Sequence, residues 1–274
     1  MEAIELNMES LVNRGYAILR GVVPQGLISE YQNLVTIKIG AMLREVGVEP
    51  ASDLYLDFLT AMESYDQIQI QQELSKYLVY REIHKKLFLQ PDVLEVLVHS
   101  IGPDLEYSSG ADITVNVRDV KNDYLVKKFH QEFWSGLAVT SLQTWTPIGI
   151  KPGMGGLEII EESHAWGHIP HRNREPIELP ENAQYTVLDL EEGDMLVFHG
   201  LLLHRTVPNE HEWPRFAVPL SIRNFYFKDT GFEDLVKWDA FHYSPISQIR
   251  KRLGNPHLSP FRTWGSNRNQ YFRT

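Results

Sequence analysis

The sequence predicts an α+β protein with a mainly β core, a double-stranded β-helix of the jelly-roll or cupin-like type backed by N-terminal helices. Apolar residues recur at helical spacing in the first third, and short β-prone segments separated by Gly and Pro follow from about Leu105. We find no repeat or linker, which favours one domain over residues 1–274. Residues 1–104 are expected to be mostly helical support and 105–228 the jelly-roll core. Residues 229–274 are expected to be a C-terminal extension that acts as a lid, forms a subunit contact or packs on the barrel.

The N-terminal third begins with a short strand. "GYAILRGVV" (Gly15–Val23) is β-prone and is closed by Pro24. The next segment has apolar residues at helical spacing, which predicts a long helix; they are Leu27, Tyr31, Leu34, Val35, Met42 and Leu43. A second helical stretch is expected from about Ser64 to His99, with Pro91 at a helix boundary inside it.

The remaining segments alternate as strands with two different faces. The expected strands are "DITVNVR", "LAVTSLQTWTPIGI", "LEII", "YTVLDL", "MLVFHGLLLHRTV" and "RFAVPLSIRNFYF". In the last of them Phe216, Val218 and Leu220 share one side, and small or polar residues share the other. A jelly roll with helices outside and a polar pocket inside produces this division, and so does an ordinary sheet with one wet face.

Composition limits the function classes. The formal net charge is −10 and residues 241–274 hold six basic and no acidic residues, so the body of the chain is too acidic for a nucleic-acid binder. The chain has no cysteine, so any metal must be held by nitrogen and oxygen. No apolar run approaches the roughly 18–20 residues that cross a bilayer, and the start "MEAIELNMES" lacks the pattern of a signal peptide. We therefore expect a cytoplasmic protein with no membrane partner.

The stretch "FHQEFW" carries the first candidate metal ligands. On a strand, residues i and i+2 point the same way, so His130 and Glu132 can converge on one ion while Gln131 faces away. The best third ligand is His204 in "FHGLLLHRTVPN". Two histidines and one carboxylate on one face of iron leave three open positions, which suit a bidentate co-substrate and O2.

A bidentate oxo-acid also needs a cation for its far carboxylate, and the planar guanidinium of arginine suits that geometry. Arg215 lies 11 residues beyond His204 and is expected to start a strand that returns antiparallel beside it. Thr206 shares the face of His204 and could add a hydroxyl hydrogen bond. Gln143 and Asn116 are further candidates for co-substrate contacts. Candidate substrate contacts are Trp134, Arg118 and Trp145.

The ordered set of these motifs resembles the phytanoyl-CoA dioxygenase family of non-haem iron, 2-oxoglutarate-dependent oxygenases. It consists of His130-x-Glu132, "GGLEIIEESH", "GDMLVFHGLLLHRTVPN" and Arg215, and the similarity spans roughly residues 10–228. The resemblance implies a double-stranded β-helix in which His130, Glu132 and His204 bind Fe(II), while Arg215 and Thr206 bind the 2-oxoglutarate C5 carboxylate. The family usually has aspartate where this chain has Glu132, one methylene longer.

The other histidines have structural interpretations. His199 is expected on the opposite strand parity from His204, in a hydrogen-bonding role. His164, His168 and His171 in "SHAWGHIPH" could form a zinc cluster, but their spacing favours a loop that crosses the barrel rim.

The expected function is oxidation of a C–H bond in a small metabolite or natural-product intermediate, usually hydroxylation, with 2-oxoglutarate and O2 converted to succinate and CO2. Desaturation, epimerisation and cyclisation remain open. The alternatives are a cupin-like metal-dependent isomerase or hydrolase, and a non-catalytic binding module with a degenerate iron site. The expected partner is a small-molecule substrate, with a homodimer through the C-terminal extension as a further possibility.

Overall fold

The computed structural model describes residues 2–109, 113–118, 125–135, 137–151, 154, 156–226 and 237–253. The described residues contain seven α-helices, six of them before Leu105 and one after the last strand. They are α1 (Glu2–Arg14), α2 (Gln25–Glu45), α3 (Leu54–Ala61), α4 (Gln67–Tyr80), α5 (His84–Phe88), α6 (Pro91–Ile101) and α7 (Pro245–Arg252). The predicted long helix and the helical stretch that follows it are confirmed, and Pro91 is the first residue of α6.

The strands form one large and one small antiparallel sheet with a separate two-stranded ribbon. They are β1 (Tyr16–Leu19), β2 (Leu105–Ser109), β3 (Thr114–Asn116), β4 (Leu142–Gly149), β5 (Leu157–Ile160), β6 (His171–Arg172), β7 (Glu175–Pro176), β8 (Tyr185–Val187), β9 (Met195–His199), β10 (His204–Thr206), β11 (Arg215–Asn224) and β12 (Lys237–His242). The expected "LEII" strand is β5, and the expected "MLVFHGLLLHRTV" strand is divided into β9 and β10 by a turn at Gly200.

The connections between the sheets are those of a double-stranded β-helix. The large sheet has the order β1-β9-β4-β11-β2-β12, with β3 also paired to β11. The small sheet has the order β10-β5-β8, and His130 extends it by an isolated bridge to His204. The chain passes repeatedly from one sheet to the other, so the predicted jelly-roll core is confirmed.

The helices cover one face of the large sheet. Phe216, Val218, Leu220 and Ile222 of β11 belong to the apolar cluster that includes α2 and α4, as the strand alternation predicts. The opposite face of β11 presents Ala217 toward the small sheet, where it packs in a second cluster with residues of β4, β5 and β9. The space between the two sheets therefore contains both this second apolar cluster and the candidate site.

Two local predictions were wrong. "FHQEFW" is not a strand, because after the His130 bridge the chain turns into a 3₁₀ helix at Glu132–Ser135. Strand β11 does not lie beside β10: it pairs with β2, β3 and β4 in the large sheet, whereas β10 belongs to the small sheet. The jelly-roll crossover between β10 and β11 separates these strands.

Among the described residues, no helix has the length and apolarity needed to cross a membrane. The C-terminal extension is described only over residues 237–253. There β12 pairs with β2, and α7 begins at Pro245 after its N-cap Ser244. The basic, aromatic residues 254–274 lie outside the described residues.

Candidate metal centre

Two histidines meet at the edge of the small sheet. The amide N–H of His130 donates to the carbonyl of His204 at 3.0 Å, and the amide of His204 donates back at 3.1 Å. This reciprocal pair fixes the two backbones against each other, and the imidazole ring centroids lie 4.2 Å apart. Both side chains are buried. The bridge, and not a continuous strand, aligns the two rings.

The Nδ1 atoms of both rings are bound to backbone carbonyls. Nδ1 of His130 lies 2.8 Å from the carbonyl of Lys128, and Nδ1 of His204 lies 2.9 Å from that of Leu202. A carbonyl only accepts, so each Nδ1 carries a hydrogen and Nε2 is the nitrogen left to bind a metal. The buried Nε2 of His130 has no hydrogen-bond partner. This arrangement is typical of imidazoles oriented to bind a metal.

The carboxylate of Glu132 completes the cluster. Its Oε1 lies 3.4 Å from Nε2 of His130 and 3.4 Å from Nε2 of His204. Ligand atoms of the three residues all lie within 4.8 Å of one another, and no other such group of three occurs among the described residues. The two imidazoles and the carboxylate could therefore share one ion.

Gln131 fixes the turn that brings Glu132 back. Its side chain faces away from the cluster, as expected, but is fully buried. Its Nε2 donates to the carbonyls of Gly167 and Leu201, and its Oε1 accepts from the amide of Ile169. These three bonds satisfy the amide and join the turn to two loops.

The electrostatics favour ligand-competent protonation states. Burial, and next the neighbouring His204, lower the pKa of His130, so its ring is neutral at neutral pH. Burial alone would raise the pKa of Glu132, but the charge of Lys127 and the contacts with the two imidazoles hold it well below its usual range. The centre therefore offers a neutral imidazole at His130 and a carboxylate at Glu132.

The cluster lines a cavity of about 280 Å³ between the sheets. Four of the predicted contact residues line it too: Asn116, Gln143, Trp145 and Thr206. The structure therefore brings them into the same cavity as the two histidines and the glutamate of the cluster. Nδ2 of Asn116 and Oε1 of Gln143 are buried without a hydrogen-bond partner. Buried polar atoms of this kind are costly unless a ligand or water satisfies them.

Arg215 lies at the start of β11, next to the cavity but not among the residues that line it. Its side chain is buried, and its guanidinium donates to the carbonyls of Met154 and Val207 at 2.8 and 3.0 Å. Burial lowers its pKa to about 10. No carboxylate within the described part of the chain pairs with this cation.

The remaining predicted residues lie elsewhere. Trp134 stacks on His171 with ring centroids 4.5 Å apart, outside the cavity lining, and Arg118 is an exposed turn residue. Nδ1 of His199 accepts from the amide of Leu201, the hydrogen-bonding role expected for it. Nε2 of His164 lies 2.9 Å from the carbonyl of Val12. The "SHAWGHIPH" histidines thus form no metal cluster in the described structure.

Sequence reasoning missed part of the cavity wall. Helix α4 contributes Ile68, Gln71, Gln72 and Ser75, and Lys127 lies at the rim. Gln67 and Gln71 also fasten α4 to β3: Nε2 of Gln67 donates to the carbonyl of Val115 and Oε1 of Gln71 accepts from its amide. The "QIQIQQ" run, with glutamines four residues apart on a helix, was the available signal.

A double-stranded β-helix with two imidazoles and a carboxylate converging between its sheets places the chain in the class of metal-dependent jelly-roll proteins. The model of the phytanoyl-CoA dioxygenase (PhyH) family matches residues 12–217, and the chain belongs to that family. The prediction of an enzyme of the non-haem iron, 2-oxoglutarate-dependent type is confirmed at the level of the family.

Three solved structures are similar in fold. The apo form of the non-heme monooxygenase ThoJ is 18% identical with a TM-score of 0.58, covering 86% of this chain and 84% of its own. The epimerase SnoN, in complex with Fe3+, alpha ketoglutarate and nogalamycin RO, is 15% identical with a TM-score of 0.53 and coverages of 84% and 88%. The alpha ketoglutarate-dependent carbocyclase SnoK from nogalamycin biosynthesis is 11% identical with a TM-score of 0.50 and coverages of 80% and 83%. No curated protein sequence matches the chain.

Proposed function

We propose that this protein is a non-haem Fe(II)- and 2-oxoglutarate-dependent dioxygenase that oxidises a C–H bond of a small metabolite or natural-product intermediate, releasing succinate and CO2. The observation that carries the proposal is the convergence of two Nε2 atoms and one carboxylate within 4.8 Å, beside the cavity. The partnerless Nε2 of His130 is an independent sign that the group fits a metal.

The donor set agrees with Fe(II). Two imidazole nitrogens and one carboxylate oxygen on one side of an iron ion leave the other side open for small oxygen ligands. Iron bound with 2-oxoglutarate and O2 supplies the oxidising equivalents, and His130, Glu132 and His204 would hold it. The residues of the chain hold the ion, orient the co-substrate and substrate, and keep water from the reacting carbon.

Arg215 and Thr206 are the proposed partners of the far carboxylate of 2-oxoglutarate. Arg215 is a buried cation with only neutral carbonyls as described partners, so a carboxylate would compensate a charge that burial otherwise penalises. Thr206 lies two residues after His204 and lines the cavity. The unsatisfied amide atoms of Asn116 and Gln143 are candidates for further polar contacts.

Trp145 is the proposed apolar wall for the substrate, because it is buried and lines the cavity. Trp134 and Arg118 stay predictions as substrate contacts. The assignment of the whole chain as one oxygenase domain, the homodimer through the C-terminal extension and the cytoplasmic location likewise stay predictions.

Anaerobic titration with Fe(II) and 2-oxoglutarate tests the proposal. We expect a weak visible charge-transfer band in the wild type, and succinate release once O2 and substrate candidates are added. His204→Ala should lose stoichiometric iron and the band. Arg215→Ala should retain iron while it weakens 2-oxoglutarate binding by roughly 10- to 100-fold, the loss of a charge-assisted pair.

The outcomes separate the alternatives. Folded wild type that binds iron but neither binds nor consumes 2-oxoglutarate would favour a cupin-like isomerase or hydrolase. Folded wild type that binds no metal would favour a binding module. Retention of stoichiometric iron by His204→Ala would contradict the ligand assignment.

A further inference from the structure

Lys127 is the only lysine or arginine among the described residues that line the cavity. Lys127 lies three residues before His130. Its carbonyl accepts from the amide of Thr206 at 3.1 Å, and this bond holds its backbone against β10. Its side chain makes no hydrogen bond or salt bridge with the described residues, whereas the neighbouring Lys128 pairs with Glu175 at 2.9 Å outside the barrel. The cavity is therefore lined by an exposed lysine whose side chain has no ion-pair partner among the described residues.

Lys127 lines the same cavity as His130, Glu132 and His204. A molecule bound in this cavity would therefore lie between the metal centre and the residue that carries the ammonium. The only carboxylate that lines the described cavity is Glu132, which the proposed function assigns to the ion.

Charge counting indicates what Lys127 would bind. In the loaded site of the proposed function, the ion, Arg215 and Lys127 carry four positive charges, and Glu132 with the two carboxylates of 2-oxoglutarate carries three negative ones. Lys127 is exposed in the unliganded protein, so its charge becomes costly only when a bound molecule covers it. A monoanionic substrate would supply the counter-charge, which a neutral or cationic one would not. We propose that the primary substrate is an organic acid whose single anionic group binds the Lys127 ammonium.

The rest of the wall defines the body of that acid. The apolar lining consists of Ile68, Ile113, Leu125, Trp145, Leu157, Phe198 and Pro219. Helix α4 adds amides at Gln71 and Gln72, which can bind hydroxyl or carbonyl groups. The substrate class is therefore an amphipathic monoacid, with its apolar carbons toward the metal and its anion at the rim.

Paramagnetic NMR with a matched pair of probes tests this inference, which rests on the proposed function. The protein is loaded with Mn(II) and saturating 2-oxoglutarate, and the line broadening of hexanoate is compared with that of its neutral amide, hexanamide. We expect the wild type to bind hexanoate about tenfold more tightly, the size of one charge-assisted hydrogen bond. Lys127→Gln should remove this preference and Lys127→Arg should retain most of it.

Lys76→Gln is the matched control, because Lys76 is an exposed lysine of α4 paired with Glu73. It should leave the preference for the acid unchanged. The affinity of each variant for 2-oxoglutarate shows whether Lys127 binds the carboxylate of the substrate or that of the co-substrate. In Lys127→Gln it should stay within about twofold of the wild type, since Arg215 is the proposed partner of the co-substrate.

A large loss of 2-oxoglutarate affinity in Lys127→Gln, with the acid preference intact, would assign Lys127 to the co-substrate and overturn the inference. Equal broadening by the two probes in loaded wild type, including no broadening by either, would overturn it as well. Wild type that takes up neither Mn(II) nor 2-oxoglutarate would contradict the proposed function itself and the inference with it.

Discussion

The two faces of the large sheet differ in what their side chains contact. On the face toward the helices, Phe216 and Val218 of β11 are fully buried among apolar side chains. On the face toward the small sheet, Gln143 of β4 and Asn116 of β3 are buried with polar atoms that have no partner. The large sheet thus has an apolar face toward the helices and a cavity face on which two amide side chains have unpaired atoms. We expect the apolar face to contribute more to stability and the cavity face to bind the ligand.

Histidines show the same contrast. His199 of β9 lies on the face toward α1 and α6, in a second cavity lined also by His164. Its Nδ1 accepts from a backbone amide, and no carboxylate of the described residues forms a metal-binding group with this pair. His130 and His204, on the other side, have Nδ1 bound to carbonyls and Nε2 directed at Glu132. Burial of histidine pairs alone therefore does not distinguish a metal centre; the use of each nitrogen does.

The largest expected effect tests the apolar face of the large sheet. Phe216 packs edge-on against Phe58, with ring centroids 5.2 Å apart. Phe216→Ala should lower the free energy of unfolding by about 3–5 kcal/mol, because it removes a large buried side chain and leaves a cavity. The metal affinity of the folded fraction should be unchanged. Urea unfolding followed by circular dichroism, with metal titration below the transition, measures both. A loss of metal affinity as large as the loss of stability would contradict the separate roles of the two faces.

An intermediate effect is expected at the metal centre. Glu132 reaches the imidazoles from a 3₁₀ turn, so removal of one methylene should withdraw its oxygen from the shared position. Glu132→Asp should therefore weaken metal binding by about tenfold, or about 1.4 kcal/mol, although aspartate is the usual residue of the family. Its unfolding free energy without metal should match that of the wild type. Calorimetric titration with Mn(II) measures the affinity, and equal or tighter binding would show that the turn relaxes to accommodate the shorter acid.

The smallest effect concerns His199. Burial and the neighbouring His164 lower its pKa to about 4, against about 6.5 in an unfolded chain. Between these pH values His199 binds a proton in the unfolded state but not in the folded state. Its titration therefore costs no stability above pH 6.5, and the free energy of unfolding decreases as the pH falls from 6.5 toward 4. The wild type should lose about 1 kcal/mol more than His199→Asn between pH 7.5 and 5.5. Parallel urea curves at the two pH values provide the measurement, and an identical pH slope in both proteins would contradict the assignment.

Strand alternation and helical spacing predicted which faces are buried, and the resemblance to the family favoured the jelly roll over an ordinary sheet with one wet face. The alternation in "RFAVPLSIR" predicted which side of β11 meets the helices. Helices α1 and α3 were not predicted; α3 begins at an Asp53 cap but has only eight residues, too few for a strong periodic signal.

The candidate centre was predicted as a set of residues but not as a geometry. Periodicity suggested that His130 and Glu132 converge along a strand, whereas a bridge and a 3₁₀ turn bring them together. The bonds that produce this turn run from Gln131 to residues about 36 and 70 positions away. No local pattern specifies such distant partners. The place of Lys127 in the cavity lining was missed for the same reason, whereas the glutamine run of α4 was a local signal that was not used.

The fastening of α4 to a single peptide group has a consequence for how selectivity can change. Gln67 and Gln71 hold the helix to Val115, while Ile70 and Leu74 anchor its other side in the apolar cluster. Ile68 and Gln72 line the cavity and take part neither in the hydrogen bonds to Val115 nor in the apolar cluster. We expect substitutions at these two positions to change the free energy of unfolding little. A library randomised there should therefore yield folded proteins with altered substrate selectivity.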